Sequence, residues 1–184
     1  MTGSQLGRGP SGHEIQPYGT LRNVALALGD NVRSSSVAAL NQALADSIAL
    51  RDLYKKHHWQ VSGATFHQLH LLFDTHQAEQ STVIDALAER VQALGGVAIA
   101  TSQDVAETTR LPRAPRGREA PGDQLRRLLA AHELMLAPAH DWARTAAELG
   151  DDGTNDLLVS QVIRTNEAQS WLVAEHLKGA GEGG

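Results

Sequence analysis

Cysteine is missing from all 184 residues. The chain therefore has no disulfide framework and no thiolate to act as nucleophile or soft metal ligand. Aromatic residues are scarce, at 4% against 41% apolar content, so the core must be built largely from alanine and leucine, which suits helices. No apolar run approaches the roughly 20 residues that span a bilayer. The first residues also lack the apolar stretch of a secretory signal, and a cytoplasmic location is the expectation. Basic residues are few at both ends. Residues 1–34 offer Arg8, Arg22 and Arg33 against Glu14 and Asp30, and residues 179–184 hold one acid and no base. Non-specific DNA affinity grows with the number of phosphates neutralised, so neither end makes an effective DNA clamp.

The net charge of -5 is unevenly spread. Residues 35–106 and 128–184 are acidic, whereas residues 107–127 carry six arginines against three acids. That basic stretch also holds Pro112, Pro115 and Gly117 and reads as a solvated loop, able to contact DNA or a neighbouring subunit.

Apolar periodicity supplies the elements. Val37, Leu40, Leu44, Ile48 and Leu53 mark a first helix to about Val61, with Ser34–Ser36 supplying its N-cap. Gly63 and Thr65 suit a helix stop and a restart. Phe66, Leu69, Phe73, Val83, Leu87, Val91 and Leu94 mark one long second helix, ended by Gly95-Gly96. A third runs from about Gly122 to Leu149, with Leu125, Leu128, Leu129, Leu136 and Trp142 inward and a kink expected at Pro138. The turn Gly150–Gly153 leads to a fourth helix, from Thr154 to Leu177. The long connection over residues 95–118 includes a capped turn at Ser102, and a crossover of that length joins parallel-running helices of a four-helix bundle. One domain is expected at this size: a bundle over residues 35–178, between tails at 1–34 and 179–184.

The polar residues of the second helix carry the chemistry. His58 closes the first helix, and His70 and Asp74 lie one turn apart. Asp85 and Glu89 form a second pair one turn apart. At 1.5 Å rise per residue, His70 and Asp85 are roughly 22 Å apart along the axis, far beyond one metal's coordination sphere. The two halves are either unrelated or meet across two copies of the chain, because two-fold contacts are reciprocal. Centres inside a single bundle use Glu-x-x-His pairs, and no glutamate here has a histidine three residues later. That supports a shared site. Imidazole with carboxylate accepts both ferrous and ferric iron, and divalent affinity also admits zinc as a competitor.

The stretch resembles the Dps family, the miniature ferritins of bacteria and archaea. The resemblance rests on His58, Trp59, Val61, Gly63, Phe66, Leu69, His70 and Phe73, then Asp85, Ala88, Glu89, Arg90, Leu94 and Gly95, all at the family's intervals. A second match is Gly150-Asp151-Asp152-Gly153-Thr154-Asn155-Asp156 with Trp171. The similarity covers residues 37–178. It implies an all-α, ferritin-like four-helix bundle with a short extra helix in the crossover between helices 2 and 3, assembled as a hollow dodecamer.

The resemblance further implies iron as Fe2+ and Fe3+ at intersubunit di-iron centres. Glu89 would bridge two metal positions, His58 and Asp85 would complete the tighter one, and His70 and Asp74 the weaker. Hydrogen peroxide or oxygen would oxidise Fe(II), and ferric oxide would collect inside, protecting DNA from oxidative damage. Asp152 and Asp156 would line a pore that admits iron, although caps and helix-dipole partners also use such residues. Trp59 would donate electrons near the iron or simply pack at a dimer contact. Arg90 is expected in an ion pair. His57, His67 and His76 lie near these residues in sequence and are candidates for extra metal groups or for supports that orient the ligands. The alternative is a nucleoid-associated protein that compacts DNA by non-specific binding, which the sparse charge of the ends disfavours.

Overall fold

Helix α1 spans Asp30–Gln60. It starts before the three serines expected to cap it, with Gly29 at the N-cap position. A tertiary anchor sets this start. Arg33 is buried, pairs with Asp30 and donates to the carbonyls of Arg22 and Leu94. Ser36, one of the expected caps, lies inside the helix and donates to Asp151. The apolar stripe of α1 packs mainly against α2, Phe66–Ala93. Thr65 occupies the N-cap position of α2, but its side chain caps nothing. Phe66, expected inward, is 43% exposed, whereas Leu69, Phe73, Val83, Leu87, Val91 and Leu94 are buried.

Gly95 ends α2 in the left-handed region, at φ +86, where glycine alone pays little. The Arg22 amide donates to the Gly95 carbonyl, and so does the Gln16 side chain. The crossover then passes along α1. Asn41 holds it at both Val97 and Ile99. Helix α3, Ser102–Thr108, is capped by Thr101, whose hydroxyl accepts from the Asp104 amide. The fully buried Asp46 accepts from the Thr109 hydroxyl, the Arg110 amide and the Arg110 guanidinium. Arg110 also lies over the Trp142 ring at 5.0 Å.

Helix α4, Pro121–Glu148, has proline in its first turn, where a missing N–H costs nothing. It continues through Pro138. That proline cannot bond the Leu134 carbonyl, and Leu134 lies on the exposed side. The last helix departs from expectation. It begins as α5, Asp152–Leu157, passes through a π-helical turn at Leu158–Ile163, and continues as α6, Arg164–Gly181. The wider turn shifts the register, and Asn166, Gln169 and Val173 of α6 are buried.

This computed structural model describes residues 12–181, all of them helical or irregular, with no strand. The expectations for residues 1–11 and 182–184 lie outside the described residues. Two apolar clusters make up the core, one around Leu40, Leu44, Leu87 and Leu158, the other around Tyr54, Phe73, Leu125 and Leu128. Among the described residues no helix is long and apolar enough to cross a membrane.

Candidate metal centre

The end of α1 and the start of α2 bring two histidines face to face. The rings of His58 and His70 stack with centroids 3.8 Å apart. His58 Nδ1 lies 2.9 Å from the His70 carbonyl oxygen, and His70 Nδ1 lies 3.0 Å from the His58 carbonyl oxygen. A carbonyl only accepts, so each Nδ1 carries the proton and donates. Each Nε2 is thereby left with its lone pair, the tautomer that binds a metal, and the carbonyl fixes the ring's orientation.

Asp74 joins this half. Its Oδ1 accepts from Lys55 Nζ at 2.7 Å and lies 3.8 Å from His58 Nδ1. The Lys55 hydrogen bond holds its carboxyl below the usual range. The sequence gives Lys55 no motif of its own; only the turn-wise spacing toward His58 places it here. Trp59, beside His58, is 70% exposed.

Asp85 and Glu89 do not reach the histidines. Helix α2 is unbroken from Phe66 to Ala93, so Asp85 stays roughly 22 Å along the axis from His70. Both acids are exposed. Among the described residues, no three His, Asp or Glu side chains converge on one metal position. The chain thus holds a histidine pair at the α1–α2 junction and, further along α2, a separate pair of exposed carboxylates.

Arg90 does not join the acids beside it. It pairs within the chain, donating to Asp151 at 2.5 Å and to the Thr154 hydroxyl at 3.0 Å. Asp151 is buried and caps α5 through the Thr154 amide. Burial alone raises its carboxyl, but the bonds from Ser36 and Thr154 and the Arg90 charge outweigh that and leave it low. Asp152 and Asp156 lie one turn apart and exposed.

His57 and His76 are buried with neither ring nitrogen partnered, and His67 is exposed. Burial lowers both buried rings to about 4. A further group had no sequence signature. Tyr54, His132, Gln80, Asn166 and Gln169 form a buried hydrogen-bonded network across α1, α2, α4 and α6. Only the helical period, which puts Tyr54 one turn from Leu50 on the inward stripe, hints at its place. In the crossover, Arg110 pairs with Asp46 and Glu119 with Arg127 of α4, while Arg113, Arg116 and Arg118 are exposed.

A family model described as a ferritin-like domain matches residues 37–180. An uncharacterized protein in the bpoA2 5' region of Kitasatospora aureofaciens is 49% identical over 138 residues, 75% of this chain and 92% of that protein. DNA protection during starvation protein 2 of Bacillus anthracis is 30% identical over 141 residues, 77% of this chain and 95% of that one. The solved structure of DpsC from Streptomyces coelicolor superposes with a TM-score of 0.89 at 55% identity, over 90% of this chain and 96% of its own. With the matched ferritin-like domain, these identities and this superposition, the chain belongs to the Dps family of ferritin-like proteins.

Proposed function

We propose that this chain is a ferroxidase and iron-storage protein whose catalytic centres form between two copies. The observation that carries the reading is the tautomer lock on His58 and His70. Two imidazoles with free Nε2 atoms are prepared for metal while their acidic complement lies a helix length away. In a two-fold dimer with α2 helices antiparallel, His58, His70 and Asp74 of one copy meet Asp85 and Glu89 of the other, and each dimer holds two such centres.

Iron is the substrate. The carboxylates of Asp85, Glu89 and Asp74 offset its growing charge, with Glu89 shared between two positions, and the imidazoles accept either oxidation state. Two ferrous ions supply both electrons that peroxide needs: 2 Fe2+ + H2O2 + 2 H+ gives 2 Fe3+ + 2 H2O, and no hydroxyl radical is released. Oxygen serves as the slower oxidant. Asp152 and Asp156 line the channel by which Fe(II) is admitted, where a carboxylate ring concentrates cations. The shell is a hollow dodecamer that holds ferric oxide. Zinc competes for the same donors.

The test is anaerobic Fe(II) loading followed by stoichiometric peroxide, with ferric absorbance followed in wild type and in a His58→Ala, Glu89→Ala double variant. The reading expects fast oxidation in wild type and its loss in the variant with the assembly intact. An unchanged rate removes these residues from the chemistry.

A second role follows from the crossover. Arg113, Arg116 and Arg118 are exposed and make no ion pair among the described residues. They give each copy a small cationic patch for DNA phosphate, independent of the chain ends. A gel shift that weakens with salt, and is lost when the three are changed to glutamine, supports it. No shift at low salt removes it.

A further inference from the structure

Tyr54 is fully buried, one helical turn before His58 on the same face of α1, so the two start about 6 Å apart along the axis. Its hydroxyl lies 2.6 Å from His132 Nε2. The other nitrogen of that ring, Nδ1, lies 2.9 Å from Asn166 Oδ1. Asn166 is itself oriented. Its Nδ2 donates to the Val162 carbonyl, and its Oδ1 also accepts from Gln80. The oxygen therefore faces His132, whose proton sits on Nδ1. His132 Nε2 must then be the acceptor and the Tyr54 hydroxyl the donor.

A phenol bonded to a neutral imidazole lone pair can lose an electron without creating a buried cation on the ring. The proton crosses to the base as the electron leaves. Buried phenol without such a base resists oxidation, because a charged phenol radical finds no solvation. Here a second hydrogen bond, from His132 Nδ1–H to Asn166, waits for the imidazolium that forms. The rings of His76 and Phe73 close around Tyr54 at centroid distances of 5.1 and 6.1 Å, and they exclude water. Burial, reinforced by Glu79, also raises the phenol well above its ordinary range. Oxidation through a pre-formed phenolate is thus closed, and the coupled route is the one left.

We infer that Tyr54 and His132 form a redox pair in the bundle core that stores one oxidising equivalent for the neighbouring iron centre. The role rests on the ferroxidase reading. A centre holding a single ferrous ion has one electron to give, so Fe2+ + H2O2 yields Fe3+ + HO− + HO•, a one-electron oxidant of the hydroxyl-radical class. Tyr54 reduces that oxidant to HO−, becomes a neutral phenoxyl radical, and passes its proton to His132 Nε2. The next ferrous ion returns the electron, His132 returns the proton, and Fe3+ remains. Over both steps, two ferrous ions and two protons are consumed per peroxide, as in the paired reaction.

The chain has only two tyrosines, Tyr54 and Tyr18, and Tyr18 is 60% exposed on the segment before α1. Tyr18→Phe is therefore expected to fold normally and makes any tyrosyl signal that of Tyr54. The first arm of the test loads the assembled protein with one Fe(II) per centre, adds peroxide, freezes, and records high-field electron paramagnetic resonance. The second arm contains no iron and uses azide radical, which oxidises accessible tryptophans and lets the hole move inward. In Tyr18→Phe, both arms are expected to give a tyrosyl signal with the g-shift of a hydrogen-bonded phenoxyl, lost in Tyr54→Phe. His132→Gln, which accepts a hydrogen bond but not a proton, is expected to lose the signal. No tyrosyl signal in Tyr18→Phe in the iron-free arm, or an unaltered one in His132→Gln, overturns the pair. A signal with azide radical but none with iron and peroxide overturns its service to the iron centre and leaves the oxidisable pair standing. Loss of ferroxidation in wild type overturns the ferroxidase reading alone, since the iron-free arm does not depend on it.

Discussion

His58 and His70 lock one another's tautomer, each Nδ1 donating to the other's backbone carbonyl across the α1–α2 junction. The bond is made by the backbone of one residue and the ring of the other. Either ring therefore depends on the helix ends being where they are. Replacing His70 with alanine removes one donor nitrogen and the ring stacked on His58, while the residue 70 carbonyl that accepts from His58 Nδ1 remains. We expect His70→Ala to weaken ferrous binding at least about 10-fold, seen as a shift in the Fe(II) titration of the anaerobic protein. A change smaller than twofold would show that His70 does not ligate the ferrous ion.

The proposed admission path at Asp152 and Asp156 is tested by charge. Asp152→Asn with Asp156→Asn is expected to slow iron oxidation at low Fe(II) several-fold and to flatten its salt dependence. Saturating Fe(II) should restore the rate, because the centres are untouched. Stopped-flow ferric absorbance at two ionic strengths measures both.

The crossover has its own anchor at Asp46. Its carboxylate is fully buried and accepts four bonds from Thr109 and Arg110. Arg110 remains 35% exposed at its side chain, so water recovers part of what it loses. Asp46→Ala is expected to cost about 2–3 kcal/mol, measured as a lowered urea midpoint. A cost below about 0.5 kcal/mol would mean the crossover is held by packing alone.

Gly95 meets two constraints at once. Its φ is +86, and a Cβ built there would lie 2.6 Å from the Arg22 carbonyl oxygen. Gly95→Ala is expected to cost about 1–3 kcal/mol from backbone strain, with a further loss from displacing Arg22 and Arg33. Thermal melting checks it.

Acid should destabilise the fold through its buried imidazoles. Burial lowers His132 to about 4, against a smaller upward pull from Asn166, while an unfolded histidine titrates near 6.5. Between those values the unfolded chain binds the extra proton. Stability is therefore full above about 6.5 and is lost as pH falls toward 4, with a slope on the order of 1.4 kcal/mol per pH unit for this ring. His132→Gln should remove one proton's worth of slope in that window. An identical slope would mean His132 is already charged in the fold.

The His70/Asp74 and Asp85/Glu89 pairs were legible because each lies on one helix, where i, i+4 geometry is fixed by the chain itself. So was the split between them, since a straight helix has a known rise. Helix boundaries were less so. The serines at 34–36 have the chemistry of a cap, but Arg33 reaches the Leu94 carbonyl and draws the helix start back to Asp30. The π turn at Leu158–Ile163 leaves the apolar pattern intact and so gives no local signal. Phe66 follows the apolar period yet is half out of the core, lying 5.1 Å from the His70 ring. Tyr54 and His132 are 78 positions apart, and no spacing rule joins residues on two helices whose relative rotation the sequence does not state.

The shared centre is the claim on which the functional account depends, and subunit mixing tests it most directly. One variant carries His58→Ala and His70→Ala; the other carries Asp85→Asn and Glu89→Gln. Each alone should be inactive as a ferroxidase. Dissociated, mixed in equal amounts and reassembled, half of the dimers pair one of each, and each such dimer has one centre built entirely from intact halves. The account predicts recovery of about a quarter of the wild-type peroxide-driven rate. A mixture as inactive as its parents, with assembly confirmed, would show that the two halves do not combine into one centre across the interface and contradict it.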